Sequence, residues 1–132
     1  WLGHSLDASQ VGISRVARIG DEVMYRADTA DVACMIATAL TDFAQGEPDL
    51  PPLRAGVAIG EVLSRDGDFY GPTVNLASRI TKFAPPHGVT VTAETIDALS
   101  SKNDFVVGHL GEIEVRGMLQ PVELSVLWSL DR

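Results

Sequence analysis

The segment "GDFYGPTVNLASRI", residues 67–80, gathers residue types that can hold a phosphorylated ligand. Asn75, Arg79 and Lys82 recur at i, i+4 and i+7, so on a helix they form one polar stripe. Leu76, Ile80 and Phe83 form an apolar stripe about a quarter turn away, which must face a core. Pro72 suits the first helical position, where its missing N–H costs nothing. Asn75 then falls in the first turn, where backbone N–H groups and the helix dipole favour an anion. Arg79 follows one turn later, with a fork of donors suited to phosphate oxygens. Asp68, just before the helix, can accept hydrogen bonds from a base or a ribose. A solvated face of an amphipathic helix carries the same kind of stripe, and the helix alone does not separate the two readings.

A second stretch, "RIGDEVMY", puts Asp21 between two short apolar runs. Asp and Gly are ordinary turn residues. The same aspartate at a hairpin tip can also ligate Mg2+. His4, His87 and His109 show no zinc spacing and read as surface or loop residues. The net charge of −8 repels nucleic acid and anionic lipid, both of which need clustered Lys and Arg. It leaves room for a small anionic ligand, since acidic side chains hold divalent cations that in turn hold phosphates. One cysteine, Cys34, rules out an internal disulfide framework and fits a reducing compartment. The apolar runs fall short of the ~20 residues a membrane span needs, and no signal peptide is visible, so the cytoplasm is the default expectation.

The elements that must position these residues follow from local pattern. "SRVARIGDEVMYRA" predicts a hairpin about Gly20 and Asp21. Val32, Met35, Ile36, Ala39, Leu40 and Phe43 recur at helical spacing, with Asp28 or Thr29 as the N-cap and Gly46 as the stop. Cys34 lies on the apolar face of that helix and reads as core. "LRAGVAIGEVLSR" predicts a strand bent at Gly60, with "DGD" as a turn. The helix from Pro72 to about Phe83 ends before Pro85 and Pro86. "GVTVTA" reads as a strand, and "TAETIDAL" as a short helix capped by Thr92 and Thr95. The tail "FVVGHLGEIEVRGMLQPVELSVLW" alternates as antiparallel strands do. The expected fold is α+β, a mostly antiparallel sheet with helices packed on one of its faces. Residues 1–13 read as a lead-in, and residues 14–130 as one domain.

With these marks in order, the chain resembles the class III nucleotide cyclases, the adenylate and guanylate cyclase catalytic domain, and within them the soluble actinobacterial type. The matching runs are "RIGDEVMY", "LRAGVAIGEVLSRDGDFYGPTVNLASRITKFAPPHGVTVTAETIDAL" and "GEIEVRGM", over roughly residues 14–129. The resemblance implies a ferredoxin-like sandwich and an adenylate cyclase chemistry. The 3′-hydroxyl of ATP attacks its own α-phosphate, pyrophosphate leaves, and cyclic AMP forms, with Mg2+ or Mn2+ and positioned positive charge supplying most of the catalysis. It assigns Asp21 to a metal, Asp68 to the adenine amino group, Asn75 to the ribose and Arg79 to the α-phosphate. Arg116, in "EVRGM", stands where the family usually has a lysine for the terminal phosphates. It also implies a head-to-tail homodimer whose sites take Asp21 from one chain and Asp68, Asn75 and Arg79 from the other.

Two departures accompany the match. Ala17 stands where these adenylate cyclases usually carry an adenine-binding lysine. Arg18 would point to the opposite face of the strand, and Arg15 would share the face of Ala17 about 7 Å away. Nothing in "WLGHSLDASQVGIS" resembles the family's first strand and two helices, where another metal aspartate resides. The chain therefore reads as a partial domain. An alternative function is a catalytically silent cyclase homology domain that binds nucleotide or dimerises for regulation. A plain interaction domain would leave the long match to chance.

Overall fold

A computed structural model describes residues 13–19, 22–50, 52–65 and 68–130. Strands β1 (Ile13–Ile19) and β2 (Glu22–Ala27) form the expected antiparallel hairpin, with Ile19 facing Glu22 across the connection. Helix α1 (Ala30–Gln45) follows, and Thr29 is its N-cap, accepting a hydrogen bond from the Val32 N–H. Strand β3 (Ala55–Val57) leads to a small antiparallel pair, β4 (Leu63–Arg65) and β5 (Asp68–Tyr70). Helix α2 (Pro72–Ile80) continues as a 3-10 turn over Thr81–Phe83. Strand β6 (Val89–Thr92), helix α3 (Ala93–Ala98) and the long strands β7 (Phe105–Ile113) and β8 (Val122–Ser129) complete the order.

The main sheet runs β3-β6-β8-β7. Only β3 and β6 are parallel; the β6–β8 and β8–β7 pairs are antiparallel. A parallel pair needs a crossover, and β4, β5 and α2 supply it. Alternate residues of β8 feed separate cores, as the period of a strand requires. Leu127 joins Cys34, Val57, Val89 and Val91 under α1, while Leu124 joins Ile80 and Val115 beside Leu76 and Phe83 of the α2 segment. The two helices thus cover opposite faces of one sheet. The α+β class holds, but the expectation of helices on one face does not, because inward residues of both faces of β8 are apolar.

Two local expectations need correction. The run "LRAGVAIGEVLSR" is not one bent strand: β3 and β4 belong to different sheets, and the chain leaves the ladder between them at Gly60, φ 152°. A Cβ at Gly60 would collide with Thr73, so the chain passes close over the start of α2. The buried face of α1 is also rotated from the expected one. Ala30, Cys34, Ile36, Thr38, Thr41 and Ala44 are buried, whereas Met35 and Phe43 are 54% and 46% exposed. Thr38 and Thr41 can enter the core because their hydroxyls donate to backbone carbonyls one turn back, Cys34 and Thr38. Their polarity hid them from a reading based on hydrophobic period. His87 is, as expected, a loop residue, a half-buried turn position with φ 61° and its Nδ1 buried. His109 on β7 is exposed, 2.8 Å from Glu123.

Candidate functional site

Helix α2 opens at Gly71, whose φ of 123° is a setting that side chains disfavour, and Pro72 occupies the first turn. The Asn75 N–H closes that turn on the Gly71 carbonyl at 3.0 Å. The Gly-Pro pair is therefore a sharp entry from β5 into a helix, with no side-chain cap in front of it. Gly56 of β3 then lets α2 lie directly on the sheet. A Cβ there would run into the Ala77 carbonyl and Thr81. Ile80 is completely buried, and Leu76 and Phe83 pack against its cluster, so the apolar stripe faces the core as expected.

That packing leaves Asn75, Arg79 and Lys82 exposed on the other side. Asn75 and Arg79 lie about 6 Å apart along the axis. Arg79 reaches across to the turn between β7 and β8, where its Nη1 donates to the Arg116 carbonyl at 2.8 Å. A groove of about 550 Å³ opens beside this turn, lined by Lys82, Glu114, Arg116 and Gly117 among others. Lys82 holds its ammonium 5.2 Å from the centroid of the Phe83 ring. Among the described residues no carboxylate pairs with Arg79, Lys82 or Arg116. Lys82 and Arg116 line the groove together with Glu114, and Arg79 reaches the backbone of the same turn, so in a chain of net charge −8 the turn gathers more positive than negative side chains.

The structure thus brings Arg79 and Arg116 together and places Asn75 on the same helix face. Asp68 is the first residue of β5, opposite Arg65 in the β4–β5 ladder, a short strand ahead of α2. Asp21, between β1 and β2 in the sequence, lies outside the described residues. Among the described residues no group of three His, Cys, Asp or Glu side chains could hold a metal. The described part of the site therefore does not make a metal centre by itself. In the β1–β2 ladder the register shifts between Arg15, paired with Tyr25, and Ala17, paired with Met24. Sequence reasoning noted Lys82 only as part of a stripe and missed Gly117 altogether. The "RG" of "EVRGM", in a turn between alternating segments, was the available signal for a special backbone position.

Comparison with known proteins decides the family. Residues 8–128 match the adenylate and guanylate cyclase catalytic domain. The chain belongs to this family. An adenylate cyclase of Glutamicibacter nicotianae is 41% identical over 118 residues, covering 87% of this chain and 29% of that protein. An adenylate cyclase of Streptomyces coelicolor is 43% identical over 89 residues, covering 67% of this chain and 23% of its own length. The chain thus spans less than a third of these curated relatives. Among solved structures, an adenylate/guanylate cyclase/hydrolase from Silicibacter pomeroyi superposes with a TM-score of 0.81 at 26% identity, over 93% of this chain and 76% of the other. The adenylyl cyclase CyaB of P. aeruginosa gives 0.71 at 23% identity, over 91% of this chain and 74% of the other, and shares the fold. The resemblance read from "RIGDEVMY" and "GDFYGPTVNLASRI" and the actinobacterial character of the match are both borne out. No described helix of this cyclase domain is long and apolar enough to cross a membrane.

Proposed function

We propose that this cyclase domain contributes to an adenylate cyclase site that converts ATP to cyclic AMP and pyrophosphate. The observation that carries the reading is the link from Arg79 to the Arg116 carbonyl, which ties the helix arginine to the turn whose Arg116 lines the groove. In the reaction the O3′–Pα bond forms, the bond from Pα to the bridging oxygen breaks, pyrophosphate departs and the 3′-hydroxyl loses its proton. Charge accumulates on the α-phosphate and the leaving pyrophosphate. Arg79 is suited to the first, with guanidinium donors left over after its bond to the backbone carbonyl. Arg116 and Lys82 are suited to the second. Asn75, one turn before Arg79, orients the ribose, and Asp68 accepts from the adenine amino group. Guanine would offer a carbonyl there, so a carboxylate favours ATP over GTP. Asp21 is the proposed ligand of a divalent cation, Mg2+ or Mn2+, which would offset phosphate charge when bound. Curated relatives that bear the name adenylate cyclase support the substrate.

The site is proposed to form between two copies packed head to tail, with Asp21 supplied by one and Asp68, Asn75 and Arg79 by the other. Leu119, fully exposed at 99% beside the exposed Met118 on the turn after Arg116, is an apolar tip that the partner copy would cover. Cyclic AMP formation from Mn2+-ATP tests the reading. Arg79→Ala should lower turnover by about a hundredfold or more with the fold intact, in the range for loss of one transition-state donor. Equal turnover in the variant removes Arg79 from the chemistry. One observation favours a second reading, a silent homology domain: Ala17 at the position where the related adenylate cyclases usually hold a lysine. That reading expects ATP to raise the melting temperature while no cyclic AMP appears.

A further inference from the structure

Gly117 is given no part in the proposed chemistry, yet its backbone lies directly against the Arg79 guanidinium. Its φ is 86°, in the region that side chains disfavour. A Cβ built on it would collide with Nη1 of Arg79 and lie 2.9 Å from Cζ. The preceding residue supplies the carbonyl that accepts the Arg79 hydrogen bond at 2.8 Å. The turn closes on the next side, where the Met118 N–H donates to the Val115 carbonyl at 3.0 Å, and Val115 is anchored in the core with Ile80 of α2. Residues 115–118 therefore form a saddle. Its base is pinned to the same cluster as the helix that carries Arg79, and its seat exists only while residue 117 lacks a side chain.

We infer that Gly117 is a positioning residue for Arg79: it opens the seat in which the guanidinium is held toward the phosphate groove beside Arg116. An exposed arginine otherwise samples many rotamers and loses that freedom on binding a ligand. A guanidinium already seated loses less, which strengthens capture of an anion without any new contact. The inference rests on the reading of Arg79 as a phosphate contact, and the test separates the two.

Gly117→Ala carries both a backbone penalty and a collision with Arg79. Gly111, in β7 with φ 95°, supplies the control, because a Cβ there meets nothing within 4 Å. Gly111→Ala thus imposes a similar backbone penalty and leaves the seat alone. Two quantities are measured on the full chain: the side-chain NMR signals of Arg79, and the affinity for Mg2+ with α,β-methylene-ATP, which cannot cyclise. In the unsubstituted chain, slowed rotation of the Arg79 guanidinium with a protected Nη proton is expected. A freely averaging guanidinium overturns the inference without any variant, so a Gly117→Ala chain that fails to fold does not block the test. Where it folds, Gly117→Ala should lose the protected signal and weaken the analogue about tenfold, the scale of one charge-assisted hydrogen bond. Gly111→Ala should do neither. Gly117→Ala placed on Arg79→Ala should add no further loss of affinity, since its effect runs through that side chain. If Arg79→Ala weakens the analogue and Gly117→Ala does not, this inference alone falls. If Arg79→Ala leaves the affinity unchanged, the phosphate reading of Arg79 falls and takes the inference with it.

Discussion

At the scale of single residues, the chemistry that could be read from sequence is the chemistry carried by spacing. Asn75, Arg79 and Lys82 share a face because i, i+4 and i+7 positions on a helix must, and the structure exposes all three. Gly117 was not legible in the same way. Its meaning lies in an approach by Arg79, whose hydrogen bond to Arg116 spans 37 residues of chain, and local pattern carries no such information. Cys34 illustrates the opposite case, a residue whose apolar surroundings decide its behaviour. Burial, and secondarily the negative charge of Asp31, pushes its thiol up to about 12. The thiolate is the reactive form. Cys34 should therefore resist iodoacetamide at pH 8 in the folded chain and react once urea unfolds it. Rapid alkylation under native conditions, followed by mass spectrometry, would contradict the buried placement.

At the scale of elements, helix limits were legible and helix faces less so. Thr29 and Gly46 bracket α1 as their capping chemistry predicts, and replacing Thr29 with Ala should cost about 1 kcal/mol in urea melts. The face was misassigned because buried threonines satisfied by carbonyls imitate a polar surface. The split between β3 and β4 was missed because it depends on where α2 lies, not on the strand's own residues. Neither could the sequence show that Asp31 clips the start of α1 to the turn after α3. Its carboxylate accepts from the Ser100 hydroxyl at 2.5 Å, the Ser100 N–H at 2.9 Å and the Ser101 hydroxyl at 2.9 Å. The Ser100 side-chain bond, then its backbone bond, holds the Asp31 carboxyl below its ordinary 3.8. A carboxylate depressed in the folded state stabilises above its unfolded value, and that contribution is lost as pH falls through the folded one. Asp31→Asn should accordingly lower the melting temperature at pH 7. The gap from the unsubstituted chain should close on acidification below about pH 4, the ordinary aspartate range. A gap that persists unchanged at pH 2 would place the effect outside ionisation.

At the scale of the whole molecule, the proposed site is one to which each chain contributes half. Lys82 and Arg116 line a groove whose turn holds Arg79, no metal-binding cluster occurs among the described residues, and Asp21, proposed for the metal, lies far from them in the sequence. A head-to-tail pair of identical chains reconciles these facts, since each copy then lends its cationic groove to the partner's hairpin. The pairing makes a prediction that no single-chain site can match. Arg79→Ala and Asp21→Ala chains should each be inactive alone. In an equimolar mixture that exchanges freely, about half of the dimers pair one of each. In such a dimer both lesions fall in one site, and the other site receives an intact Asp21 and an intact Arg79. Cyclic AMP formation should then return to about a quarter of the unsubstituted rate. If Asp21 and Arg79 instead served the same chain, every site in the mixture would carry a lesion and activity would stay at zero. Mixing before the assay, against the two variants assayed apart, distinguishes the arrangements directly.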